Sequence, residues 1–318
     1  MSSPLRPNLF IVGAMKAGTS SLHEYLHQHP DIFMARFKEP QYFAPHRTRY
    51  GMWGQGYDLP EPGIDWYLRL FAEAGNARYA GESSVSYTAR HWVDGCEQRI
   101  WEFNPHARII YLMRDPVERA ISHYWHFVAA GRETLPPLAA VMRHEDYLAR
   151  SDYAYQIEPY LRRFGRDQVY LLTLEELETD PQGTLRALLD WLGVDPTFYI
   201  DTRQKHNVSQ PVVMQTRRLA RPLAHLLESW RWKRIEPKVP QTVRGLLERL
   251  ARRPVDRRQV DLEPARRYLR RRLLPRVETL SRLLGRDFSQ WTTLYAQTPS
   301  PPEAPPALVT YRSSIDCR

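Results

Sequence analysis

The amino-acid sequence predicts an α/β fold, with a central, mostly parallel sheet flanked by helices and a basic helical C-terminal region after it. Three observations predict it. Short apolar runs at Leu9–Val12, Ile109–Met113 and Gln168–Leu174 each end in a turn and lead into a helical pattern, the alternation expected when parallel strands are covered on both faces. Beyond about Pro211 such runs cease, and Leu and Arg recur at helical spacing between Pro222, Pro237, Pro240, Pro254, Pro264 and Pro275. The 318 residues, 42% hydrophobic and 12% aromatic, can bury one large domain with a smaller lobe, which excludes a disordered or fibrous chain for most of the length.

The first unit runs from Asn8 through Leu9, Phe10, Ile11 and Val12 to Gly13. A helix should follow, capped by Thr19 or Ser20, with Leu22, Tyr25 and Leu26 at helical spacing and His29-Pro30 as its stop. The second unit is a strand over Arg108 to Arg114, then Pro116 in the first turn of a helix reaching about Ala130. In the third, Gln168 to Leu174 leads to Pro181 and a helix through Leu185, Leu188, Leu189 and Trp191 that ends at Gly193. The last helical segment, Pro264 to Leu284, is followed by Gly285 and Trp291, an indole placed to anchor the terminal helix on the main domain. A proline-rich stretch from Thr298 reads as a disordered tail. The expected organisation is therefore an α/β core over 1–210, a basic helical region over 211–297 and a tail over 298–318, without internal repeats.

The formal charge of +9 is uneven: Arg217 to Arg286 holds 21 Lys and Arg against 7 Asp and Glu, a local +14 that leaves −5 elsewhere. That is either a lobe for anionic partners (polysaccharide, lipid headgroups or nucleic acid) or a set of solvated arginine-rich helices. Leu223, Leu226, Leu227, Trp230, Trp232, Leu246 and Leu247 interleave with these arginines, as in helices that lie on anionic membranes. The same segment would serve as a cover over a cleft or as a contact in an oligomer. With no apolar run of about 18 residues and no apolar signal core in Met1 to Pro7, the expectation is a cytoplasmic protein whose residues 217–286 touch the cytoplasmic membrane face. Cys96 and Cys317 are too few for a disulfide framework or a cysteine-rich metal site, and are read as reduced thiols.

The segment that carries chemistry is Gly13-Ala14-Met15-Lys16-Ala17-Gly18-Thr19-Ser20-Ser21, between the first strand and its helix. Backbone N–H groups at a helix N-terminus, glycines that allow close approach and a lysine together form an anion cradle. The plain alternative is a glycine-rich turn with a solvated lysine. In a triphosphate loop of the form G-x-x-x-x-G-K-[ST] the lysine follows the last glycine; here Thr19 follows Gly18 and the lysine stands earlier, at Lys16. Asp115 directly follows Arg114, so that strand end offers no clear magnesium carboxylate. This P-loop-like turn suits a single phosphosulfate with no metal required.

These residues resemble the sulfotransferases that use 3'-phosphoadenylyl sulfate (PAPS), in particular bacterial members of the heparan-sulfate-type branch, whose phosphosulfate loop reads K-x-G-T-[ST]. The resemblance implies that Lys16, Ala17, Gly18, Thr19, Ser20 and Ser21 hold the phosphosulfate. Arg114-Asp-Pro-Val-Glu-Arg-Ala-Ile-Ser122 is similar to the family's 3'-phosphate site, which implies that role for Arg114 and Ser122. With Pro116 opening the helix, Ser122 falls two turns in, on a face that can turn back toward Arg114. Lys38-Glu39-Pro40-Gln41-Tyr42-Phe43 is similar to the branch's K-E-P-x-F-F, which implies Glu39 as catalytic base, with Gln41 where histidine often stands.

Gly81-Glu82-Ser83-Ser84-Val85-Ser86-Tyr87 resembles a G-E-x-[ST]-P-x-Y stretch that lines the acceptor cleft; Ser83 replaces the heparan branch's lysine and Val85 its proline. Lys205 lies where the family brings a basic loop over the nucleotide, with Arg203 as its rival. The resemblance covers about residues 8–210. It implies sulfuryl transfer from PAPS to a hydroxyl, less readily an amine, of a glycan, glycolipid or small molecule, leaving 3',5'-bisphosphate adenosine. Glu39 would be the general base and Lys16 would stabilise the leaving phosphate; His46 and His91 are weaker candidates for the base. Two other classes stay open: a small-molecule kinase, and a nucleic-acid-binding protein using the basic helices, for which no recognised motif is present.

Overall fold

The computed structural model describes residues 6–44, 63–204, 211–220, 223, 226, 227 and 239–296. Each apolar run foreseen as a strand is one. β1 (Leu9–Gly13) is buried along its whole length and leads to α1 (Thr19–His27) and β2 (Ile32–Met34). α2 (Ile64–Arg69) precedes β3 (Tyr79–Ser83), which passes into a 3-10 turn over Val85–Thr88. α3 (Cys96–Phe103), β4 (Arg108–Met113) and α4 (Pro116–Ala129) follow. Then come α5 (Pro137–Arg143), α6 (Asp146–Ala149), α7 (Tyr153–Phe164), β5 (Val169–Thr173), α8 (Leu174–Thr179) and α9 (Pro181–Leu192).

The strand order is β2-β3-β1-β4-β5 with every pairing parallel. All carboxyl ends therefore share one edge of the sheet. Because β3 flanks β1 on one side and β4 on the other, a crevice opens at the end of β1, the usual ligand position in open α/β sheets.

Several expectations need correction. Neither Thr19 nor Ser20 caps α1: Gly18 occupies the N-cap with φ 98° and no side-chain cap is made. β2 and β3 were not foreseen as strands. The region after Pro211 is not purely helical, since β6 (Val212–Thr216) pairs antiparallel with β7 (Arg252–Asp256), reached through α10 (Gln241–Ala251). Pro254 is tolerated in β7 because a two-stranded ribbon leaves one edge without a ladder partner. The last helical segment is where it was foreseen: α11 (Glu263–Leu284) runs through Pro275, held by Leu269, Leu273, Val277 and Leu280 buried against the core.

The chain closes with α12 (Thr292–Tyr295). Trp291 anchors this end of the chain: the indole is buried, stacks on Phe288 at 4.3 Å and donates Nε1–H to Glu175 at 3.1 Å. Part of the basic surplus is internal. Arg266 pairs with Glu118 (3.0 Å), Arg276 with Asp152 (3.3 Å), and Arg286 donates to the Leu171 carbonyl (3.1 Å), so these arginines fasten α11 and its end to the core. The tail over 298–318 lies outside the described residues.

Candidate active site

The loop from β1 to α1 is shaped by two left-handed residues. Gly18, at φ 98°, holds a conformation that side chains rarely adopt, and a Cβ there would lie 2.9 Å from Leu174 Cδ1. Lys16, at φ 69°, is a non-glycine in that region, the kind of local strain that clusters at functional sites. α1 starts at Thr19, so its first-turn N–H groups and the positive end of its dipole face the crevice. Burial lowers the pKa of Lys16, and the charges of Arg114, Arg257, Lys38 and Arg119 lower it further.

At the end of β4 the chain offers Arg114. Its acidic neighbours are occupied elsewhere: Asp115 caps α4, accepting from the Val117 and Glu118 amides (3.0 and 3.2 Å) and from Leu294 N–H (3.0 Å), while Glu118 pairs with Arg266. Ser122 sits on α4, and helical spacing puts Trp125, His126 and Ala129 on the same face. Fully buried Arg119 ties this unit to the loop by donating to Ser151 Oγ (2.6 Å) and to the Tyr147 and Met15 carbonyls (2.6 and 3.4 Å).

Glu39 comes from the loop after β2, where Glu39 and Gln41 both have positive φ (59° and 52°). The end of β3 clamps this loop: Glu39 N–H donates to Ser83 O (3.0 Å), Gln41 N–H to Ser84 Oγ (3.1 Å) and Phe43 N–H to Tyr87 Oη (3.2 Å). Glu39 Oε2 accepts from Val85 N–H at 2.9 Å. Burial pushes the Glu39 carboxyl up to about 7, against the opposing pull of Lys38. Beneath the clamp, buried Glu82 accepts from Tyr67, Tyr87 and Ser84 hydroxyls (3.0, 2.7 and 2.6 Å), and desolvation raises it to about 7 as well.

One cavity of about 790 Å³ at this sheet edge is lined by Lys16, Gly18, Thr19, Ser20, Ser21, Glu39, Arg114 and Ser122 together. A model of the sulfotransferase family matches residues 7–198, well over half of the chain.

The chain belongs to the sulfotransferase family.

A solved sulfotransferase from Alicyclobacillus acidocaldarius is 30% identical with a TM-score of 0.63, the match covering 90% of this chain and 99% of that one. Among curated proteins, heparan sulfate glucosamine 3-O-sulfotransferase 3B1 of Mus musculus is 29% identical over 210 residues, 61% of this chain and 49% of that protein. Bifunctional heparan sulfate N-deacetylase/N-sulfotransferase 4 of Mus musculus is 26% identical over 215 residues, 60% of this chain and 23% of its own length. This sulfotransferase thus spans half or less of the curated relatives it matches.

Not every residue singled out in the sequence reaches the cavity. Ala17 is fully buried, outside the lining, and its N–H closes a turn onto Ala14 O (3.1 Å). Of Gly81 to Tyr87, Val85 lines the cavity and the other residues are buried, with Ser83, Ser84 and Tyr87 supporting the Glu39 loop. His91 is bound to Asp146 at 2.5 Å and is not in the lining, and Arg203 pairs with Asp201 (2.7 Å) while its neighbour Thr202 lines the wall. Lys205 and His46 lie outside the described residues.

Conversely, Lys38, Trp125, His126 and Arg257 line the cavity of this sulfotransferase without having been assigned to it. The spacing from Ser122 could have revealed Trp125 and His126. Nothing in the sequence announces Arg257, which the β6–β7 ribbon carries in and whose guanidinium lies 5.1 Å from the Trp125 ring centre.

Proposed function

We propose that this sulfotransferase moves a sulfuryl group from PAPS to a hydroxyl, or less readily an amine, of a glycan, glycolipid or small-molecule acceptor. The observation that carries the reading is that the Lys16 loop and the Arg114–Ser122 pair line a single cavity. An adenosine phosphorylated at both 3' and 5' positions requires two anion pockets facing one space. PAPS supplies a sulfate activated by attachment to the 5'-phosphate. Lys16, with the first turn of α1, holds the bridging oxygen on which negative charge grows, while Arg114 and Ser122 hold the 3'-phosphate. Glu39 takes the acceptor's proton; a carboxylate with a pKa of about 7 is partly ionised near neutral pH and a stronger base than an ordinary one.

The names of the curated relatives support a glycan acceptor. In α10, Val243, Leu246 and Leu250 are exposed at helical spacing within the arginine-rich region, which supports a peripheral contact with anionic lipid. No helix among the described residues is long and apolar enough to cross a membrane. Sedimentation with phosphatidylserine vesicles at low salt tests the contact, and absence of binding there ends it.

Thermal denaturation with a panel of adenine nucleotides tests the donor. 3',5'-bisphosphate adenosine should raise Tm and ATP with magnesium should not. The opposite pattern would favour a kinase.

A further inference from the structure

We propose that Lys38 is a second catalytic cation, whose ammonium contacts the non-bridging oxygens of the sulfuryl group during transfer. The inference rests on the sulfuryl-transfer reading above. In extended backbone, consecutive side chains point to opposite faces. Here Glu39 adopts φ 59°, and both Lys38 and Glu39 line the same cavity. The Glu39 side is held from behind by Val85 N–H and the Ser83 carbonyl, so the loop presents a base and a cation side by side.

Lys38 reaches across to the opposite loop: its Nζ donates to Oγ of Ser20, in the first turn of α1. Its charge is also among those that depress Lys16. The two ammonium groups therefore enter the cavity from two different loops, and Arg114 and Arg257, whose charges weigh more on Lys16 than that of Lys38, enter it from just beyond β4 and β7. The end of β3 brings no cation to the cavity, since Ser83 is buried with its hydroxyl 2.8 Å from His23 Nδ1 and Val85 is apolar. Desolvation lowers Lys38, with Glu39 and Glu24 opposing it. Holding an ammonium in such a place is costly unless an anion shares it.

Glu39 and Glu24 share part of that cost, and a transferring sulfuryl group is a further anion in the same cavity. The bond from acceptor oxygen to sulfur forms as the bond from sulfur to the bridging oxygen breaks. The electron pair stays on the bridging oxygen of the 5'-phosphate, where Lys16 stabilises the charge, and the acceptor proton passes to Glu39. Charge remains on the sulfuryl oxygens throughout, and Lys38, next to the base on the same loop, is placed to meet it. With water as acceptor the products are inorganic sulfate, 3',5'-bisphosphate adenosine and two protons, one passed to Glu39 and one lost from hydrogen sulfate.

The test uses the full chain with Lys38→Met and Lys38→Arg. Two quantities are read: affinity for 3',5'-bisphosphate adenosine by calorimetry, and turnover of PAPS to that product with water as acceptor. The bisphosphate lacks the sulfuryl group, so its affinity for Lys38→Met should stay within about threefold of wild type. Turnover should fall about 100-fold or more and recover in part in Lys38→Arg. Wild-type turnover in Lys38→Met would overturn the proposal. So would a parallel loss of bisphosphate affinity in both variants, which would make Lys38 a positioning residue for the phosphate loop. A wild-type protein that binds no bisphosphate defeats the donor reading itself, a result distinct from either.

Discussion

At the scale of single residues, the candidate site is a set of charges held out of bulk water. Burial drives Glu39 up to about 7 and Lys16 down, and both effects have readable consequences. If Glu39 is the base, kcat/KM should rise with pH through about 7, and Glu39→Gln should lose both this limb and about 100- to 10,000-fold of the rate. Stability follows with the opposite sense. A carboxyl raised from 4.5 to about 7 destabilises the folded protein progressively between those pH values, because folding buries its ionised form. Glu39→Gln should therefore exceed wild type in Tm at pH 8, the more so because the charge of Glu39 also raises Glu82, and match it at pH 4. Lys16→Ala should leave Tm unchanged and cut turnover about 100- to 1000-fold. Glu39 and Lys16 were legible in the sequence because their motifs are short and local. Lys38 was quoted in the same motif without a role, since only the positive φ of Glu39 brings the two side chains to one cavity.

At the scale of elements, β1, β4 and β5 were legible as apolar runs because a parallel strand covered on both faces has little room for polar side chains. β3 escaped for the opposite reason. Its letters, Tyr-Ala-Gly-Glu-Ser, look like a loop, but Glu82 is satisfied by three hydroxyls and Gly81 lets Met34 pack close. β6 and β7 pair across 35 residues of intervening chain and carry Pro254 and two arginines, so no local pattern marks them. Two element-level outcomes are expected. Gly18→Ala places a Cβ 2.9 Å from Leu174 at φ 98°, and should weaken binding of 3',5'-bisphosphate adenosine as the loop rearranges, read by calorimetry. Trp291→Ala removes the stacked, hydrogen-bonded anchor of the C-terminal helices and should cost about 3–5 kcal/mol in denaturant unfolding.

On the scale of the whole molecule, the basic region and the α/β core are not separate devices. Arg266 and Arg276 fasten α11 to the core, and Arg257 extends from the β6–β7 ribbon into the cavity, where burial and then the charge of Arg114 lower its pKa. The charge asymmetry was legible in composition, whereas its division between internal clamps and the cavity depends on contacts between residues more than 100 positions apart. The proposed function requires one nucleotide to span two phosphate pockets. The direct test compares the affinities of 3',5'-bisphosphate adenosine and adenosine 5'-monophosphate for wild type and Arg114→Ala. Wild type should prefer the bisphosphate, and Arg114→Ala should lose roughly 10- to 100-fold of that preference with little change in monophosphate affinity. A preference unchanged in Arg114→Ala would contradict a 3'-phosphate pocket at the end of β4.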